Sequence, residues 1–315
     1  MAAHDIPSIL KYIVSKTYEN NKIIYIGHSQ GTTSILAGLC EDLEFYQQRI
    51  KCLILLAPAA KLDFCETIFF KLLSCIDFTS LFQEKEVYEV NQKPSEFAAK
   101  VRDSISGVFT PFFQGWLEMT TDENMLINCS NRLKVYFAHF PSGSSLKSVS
   151  HFKQLFNYKC FQQYDYGEEI NLQKYKSKTP KIYDLKKIKG MKIIIGAGVN
   201  DKMTDINGVR WIKEELGSNI YSYYEFKSMG HLSFLLCNDI SWFNCMLKDI
   251  YQITTDNKED MILNTGMFTS KLHEKMNLND VSDFSLSSPI QNISRKESNI
   301  DYLQLEESLE ELGFK

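Results

Sequence analysis

The sequence predicts an α/β fold, a parallel sheet with helices on both faces, interrupted by a mostly helical insertion. Three observations predict it. Short apolar runs alternate with stretches of helical period over residues 1–61. The same alternation resumes from about residue 190 and continues to 252. Between them the chain is rich in aromatic residues ("CETIFFKLLSCIDFTSLF", "GVFTPFFQGWLEM") and shows no clear strand.

In "HDIPSILKYI", Ile6, Ile9, Leu10, Ile13 and Val14 share one face, and Asp5 with Pro7 supplies a helix start, so a helix is expected near residues 4–18. A strand follows at 22–27, a helix at about 31–47 and a strand at 51–57, "KCLILLA". After the insertion, "MKIIIGAG" (191–198) reads as a buried strand, followed by a helix near 206–217, a strand near 220–227 and a helix around 233–252. The expected organisation is a core in two parts, 1–61 and 186–252, around an insertion at 62–185. Residues 253–315 are rich in Asn, Ser, Asp, Glu and Lys and read as a disordered tail. Its end places Leu305, Leu309 and Leu312 at helical spacing among acidic residues, a solvated helix more than a partner-binding one.

The chain has 315 residues, 44% hydrophobic and 23% charged, with a net charge of −4. That balance excludes a general nucleic-acid or anionic-membrane binder. No apolar run approaches the ~20 residues of a membrane helix, so no transmembrane segment is expected. The first residues lack the features of a signal peptide. Eight cysteines occur singly, without a C-x-x-C pair, and give no support to a metal site. Most are expected to be free thiols.

Gly27-His28-Ser29-Gln30-Gly31 matches G-x-S-x-G directly after a strand and before a helix. A serine there sits on a strained turn, and glycines two positions before and after are expected to keep the neighbouring chain clear of it. The helix that follows points its first amides at the place where an oxyanion would develop. Such a serine needs a histidine base oriented by a carboxylate, in the chain order Ser, acid, His. The strand ending at Gly196 leads into "AGVNDKMTD", which offers Asp201 and Asp205, with Asp201 nearer the strand end. The next strand leads into "KSMGHLSF", which offers His231. All three groups lie past the C-terminal ends of strands, the edge where open α/β sheets bind ligands. His4, His139, His151 and His273 lie elsewhere, and the His28 side chain is expected to point away from the serine.

These segments, with "HDIPSILKYI" before them and "LILLAPAA", "YFAHFPSGSS" and "FQQYDYG" between, run in order from residue 1 to about 250. The ordered set resembles the acid lipases of the gastric and lysosomal type, α/β-hydrolases that cleave neutral lipid esters. The resemblance implies Ser29 as nucleophile, Asp201 as orienting acid, His231 as base and the Gln30 backbone as one oxyanion donor. It implies a cap at 62–185 over the acyl-binding cleft, in which Phe69, Phe70, Phe109, Phe112, Phe113 and Trp116 suit an apolar pocket, though for any one of them an ordinary helical core is the stronger reading. It implies no metal and no organic cofactor, and a lipid ester held at an interface as the partner.

Two departures from the family pattern stand out. The family carries an upstream part with early strands and a His-Gly loop, and this chain has no His-Gly dipeptide, so it reads as lacking the N-terminal part. The family is secreted or lysosomal with a disulfide in the cap, and only Cys129 matches one of the partners. Localisation therefore stays open. The leading expectation is a triacylglycerol or sterol ester lipase. Two others stand beside it: a catalytically incomplete form that binds lipid or protein, and an esterase or thioesterase acting on small substrates.

Overall fold

Cys52–Leu56 and Ile193–Ile195 are apolar at every position, the pattern of parallel strands covered on both faces. They form the middle of the sheet. A computed structural model describes residues 1–17, 22–65 and 143–255, with positions 67, 71, 74–76, 88–90, 115 and 136 between them. Helix α1 spans Asp5–Lys16, β1 Ile23–His28, α2 Gln30–Glu41, α3 Leu43–Gln47 and β2 Ile50–Leu56. Two-residue strands β3 (Glu89–Val90) and β4 (Ser144–Ser145) precede α4 (Leu146–Tyr158) and α5 (Glu168–Tyr175). Strand β5 (Ile193–Gly198), α6 (Ile206–Leu216), β6 (Ile220–Phe226), α7 (Ser233–Leu236) and α8 (Ser241–Thr255) complete the described elements.

The main sheet has the order β1-β2-β5-β6, with every pair parallel. His28 pairs with Leu56, Leu56 with Gly196 and Gly196 with Tyr224, so all four strands end at one edge. Alternation along the central strands separates two cores. Leu53, Leu55, Ile193 and Ile195 pack with Ile35, Leu36 and Leu39 of α2 and with Val209, Ile212 and Leu216 of α6. Cys52, Ile54, Leu56 and Ile194 pack with Phe234 of α7 and with Met246 and Ile253 of α8. Ile54, Ile193, Ile194 and Ile195 are fully buried, each contributing about 1.5–3 kcal/mol relative to exposure.

Several expectations change. The helix expected at 31–47 is two helices, because Asp42 caps a new one: its Oδ1 accepts from Phe45 N at 3.0 Å. The helix expected at 233–252 is also two, with Asp239 accepting from Ser241 N at 2.8 Å ahead of α8. Helix α8 continues to Thr255 with Ile253 buried, so ordered core extends past the expected boundary at 252. In α1 only Leu10 is fully buried, while Ile9 and Ile13 of the expected apolar face stay exposed. A short antiparallel ribbon, β3 with β4, stands where no strand was expected.

Phe69, Phe70, Phe109, Phe112, Phe113, Trp116 and Cys129 lie outside the described residues. The chain divides into Met1–Asn257 and Lys258–Lys315, and the second unit, which holds most of the expected tail, also lies outside them. Among the described residues no helix is long and apolar enough to cross a membrane.

Candidate active site

Strand β1 ends at His28 and α2 begins at Gln30, leaving one residue to make the turn. Ser29 takes φ 52° and ψ −118°, a conformation that costs a side-chain-bearing residue energy and must be held by its surroundings. The hold comes from the loop after β2. Ser29 N donates to Leu56 O at 3.0 Å. Thr32 Oγ1 donates to Ser29 O at 2.6 Å and accepts from Ala59 N at 3.0 Å, and Thr33 Oγ1 donates to Ala59 O.

Only one of the two flanking glycines serves the steric purpose expected of it. A Cβ on Gly27 would lie 2.8 Å from the Tyr25 ring and 3.1 Å from the Gly31 carbonyl carbon. A Cβ on Gly31 would meet only the Tyr25 hydroxyl, at an ordinary 3.7 Å. Gly31 contributes through its carbonyl, which accepts from Tyr25 Oη at 2.9 Å.

The loops after β5 and β6 bring the remaining groups. His231 Nε2 lies 2.8 Å from Ser29 Oγ, and His231 Nδ1 lies 2.9 Å from Asp201 Oδ2. Asp201 and His231 are buried, at 5% and 3% exposure, so neither can rely on solvent to stabilise charge. Asp201 is instead surrounded by donors. Its Oδ1 accepts from Met203 N at 2.8 Å and Thr204 N at 2.7 Å, and its Oδ2 accepts from Thr204 Oγ1 at 2.6 Å. A carboxylate only accepts, so the network assigns the imidazole proton to Nδ1 and leaves Nε2 to accept from the serine hydroxyl. Asp205 takes no part. It caps α6, accepting from Asn207 N at 2.8 Å.

Gln30 is the first residue of α2, where a backbone N–H has no intrahelical acceptor and the helix presents its positive end. His28 is where the sequence misleads. Its ring turns toward the site: the centroids of His28 and His231 are 4.9 Å apart, and His28 Nε2 donates to His231 O at 2.8 Å. Burial, with His231 close by, pushes the His28 pKa down to about 4. No local signal in the sequence reports this contact, because its acceptor arrives from a distant loop. His151 bonds Gln162 O from α4, His4 precedes α1, and His139 and His273 lie outside the described residues. Among the described residues no group of three or more His, Cys, Asp or Glu could hold a metal, and no two of the described cysteines form a disulfide.

No protein-family model matches the chain. Individual proteins do. Gastric triacylglycerol lipase of Bos taurus is 29% identical over 258 residues, covering 76% of this chain and 59% of that one. Lipase member N of Mus musculus is 30% identical, covering 75% of this chain and 58% of its own length. Lysosomal acid lipase/cholesteryl ester hydrolase of Macaca fascicularis is 26% identical, with 77% and 60% covered. The solved structure of a monoacylglycerol lipase from Paleococcus ferrophilus matches at a TM-score of 0.42 and 15% identity, covering 78% of this chain and 72% of that one. The chain spans about three fifths of the length of the curated relatives it matches. The chain is thus an α/β protein, a parallel sheet with helices on both faces, and over about three quarters of its length it is similar in sequence to gastric and lysosomal acid lipases.

Proposed function

We propose that the chain is a serine hydrolase of carboxylic esters whose substrates are neutral lipid esters, triacylglycerols or sterol esters. The observation that carries the reading is the single imidazole of His231, within hydrogen-bonding distance of Ser29 Oγ on one side and Asp201 on the other. The lipid class rests on the relatives, which include a triacylglycerol lipase and a cholesteryl ester hydrolase.

In this reading Ser29 Oγ attacks the acyl carbonyl while His231 Nε2 takes the hydroxyl proton. Asp201 holds the other imidazole proton and stabilises the cation that forms. Negative charge on the former carbonyl oxygen is met by the Gln30 N–H at the start of α2. His231 returns its proton to the departing alcohol, leaving an acyl-enzyme. Water, deprotonated by His231, then releases the fatty acid and restores the serine. Residues 1–61 and 186–255 form the core of the enzyme in this proposal, and 62–185 the cap over its acyl-binding cleft.

Covalent labelling by a fluorophosphonate tests the chemistry. The full chain is expected to label and Ser29→Ala is not. A folded native chain that stays unlabelled would defeat the hydrolase reading. For a labelled chain, emulsified triolein and cholesteryl oleate against p-nitrophenyl butyrate decides the substrate class. Turnover of the soluble ester alone would leave an esterase in place of a lipase.

A further inference from the structure

We propose that His28 is a positioning residue for His231, acting as a hydrogen-bonding tether between the nucleophile strand and the loop that carries the base. The inference rests on the hydrolase reading for its catalytic meaning and on the geometry for the tether itself.

His28 is the last residue of β1, one outer strand of the main sheet, and His231 follows β6, the other. Two strands separate them. Yet His28 Nε2 lies 2.8 Å from the His231 carbonyl oxygen. A carbonyl accepts only, so His28 is the donor, with its proton on Nε2. From its place one residue before the nucleophile in the chain, His28 grips the backbone of the base residue. Ser29 and His231 are thereby joined twice, once through Oγ and Nε2 and once through the tether.

The loop after β6 is held from the loop after β5 and from α7. Asn200 N donates to Met229 O at 3.0 Å, and Gly230 N donates to Ser233 Oγ at 3.0 Å. The first of these joins the segment before His231 to the segment before Asp201. The bond from His28 ties the backbone of His231 to β1, and so to the strand that carries Ser29. Ring packing adds to it, with His231 at 4.9 Å and Phe234 at 6.3 Å between centroids. An imidazole supplies a donor, a flat face and neutrality in a half-buried place where a lysine or arginine would carry charge.

Two variants separate the donor from the packing. His28→Phe keeps a flat ring and removes the donor, while His28→Gln places an amide N–H at a similar reach. The rate of fluorophosphonate labelling is expected to fall about tenfold in His28→Phe, the equivalent of one lost hydrogen bond. His28→Gln is expected to recover most of it. With p-nitrophenyl butyrate the loss should fall on kcat with KM unchanged, since substrate binding is not what the tether serves.

A second readout is independent of turnover: the downfield proton resonance of His231 Nδ1–H in the Asp201 bond. It should broaden in His28→Phe, as the imidazole loses its fixed place, and sharpen again in His28→Gln. A His28→Phe chain that is folded, labels at the native rate and keeps a sharp resonance would overturn the tether. So would a His28→Gln chain that is folded yet as impaired as His28→Phe. If the native chain fails to label, the hydrolase reading falls alone and the resonance still decides the tether.

Discussion

Thr204 Oγ1 donates to Asp201 Oδ2 at 2.6 Å, the same oxygen that receives the His231 Nδ1 proton at 2.9 Å. One carboxylate oxygen therefore serves both the base and its own anchor. Thr204→Val keeps the shape and removes the hydroxyl, so Asp201 loses one side-chain donor and part of its orientation. Labelling of Ser29 by a fluorophosphonate is expected to slow by about tenfold, with a smaller change in melting temperature. An unchanged labelling rate would mean that the backbone donors of Met203 and Thr204 suffice.

Gly198 is set against the loop that bears the base. A Cβ there would lie 2.5 Å from Met229 O and 2.9 Å from Gly230 O, two backbone atoms that cannot swing aside. Gly198→Ala must displace the segment leading into His231. A shift near 1 Å at a reacting group costs about a hundredfold. The expected result is a labelling rate at least tenfold lower in a chain that still unfolds cooperatively in urea.

The strain at Ser29 makes a prediction about stability. At φ 52° a side chain is disfavoured and glycine is not. Ser29→Ala and Ser29→Gly both remove the hydroxyl and should both fail to label. They should differ in stability, with the glycine variant about 1 kcal/mol more stable than the alanine one. Differential scanning calorimetry should read this as a melting temperature roughly 2–4 °C higher.

His28 makes stability depend on pH. Its folded pKa of about 4 lies below the ordinary 6.5, chiefly because burial disfavours the cation. Between those values the unfolded chain takes up a proton that the folded chain refuses. Stability is therefore fullest above about pH 6.5 and declines as pH falls toward 4, by up to about 3 kcal/mol from this group. His151 is shifted in the same direction and adds to the decline. Urea unfolding at pH 4.5 and pH 7 should show a larger loss in the native chain than in His28→Gln. Equal losses would assign the dependence to other groups.

The arrangement of the candidate site was legible where it obeys a rule of topology. A serine after one parallel strand and an acid and a histidine after two later ones converge because parallel strands end at a common edge, and the register of His28, Leu56, Gly196 and Tyr224 is that edge. Asp201 was preferred to Asp205 for lying nearer the strand end, and in the structure Asp201 faces the imidazole while Asp205 caps α6. His28 was not legible. The direction of its ring depends on a carbonyl 203 residues away, and no spacing near Ser29 encodes that. The two broken helices carried a readable sign, an aspartate at Asp42 and Asp239, which a continuous apolar period masked. The β3–β4 ribbon has two residues per strand, too few for any alternation to show. The exposed Ile9 and Ile13 show the converse limit, because periodicity finds an apolar face without telling what covers it.

Ser29 and His231 stand 202 residues apart along the chain and 2.8 Å apart in space. Contacts of that separation close late, after shorter loops have formed and the sheet has found its order. A slip of one residue in any strand would turn alternate side chains to the wrong face and move the ends of β1, β5 and β6 out of line. Ser29 reactivity is thus a stringent clock for folding. In a refolding experiment it should recover after helical signal, in step with the completed four-strand ladder.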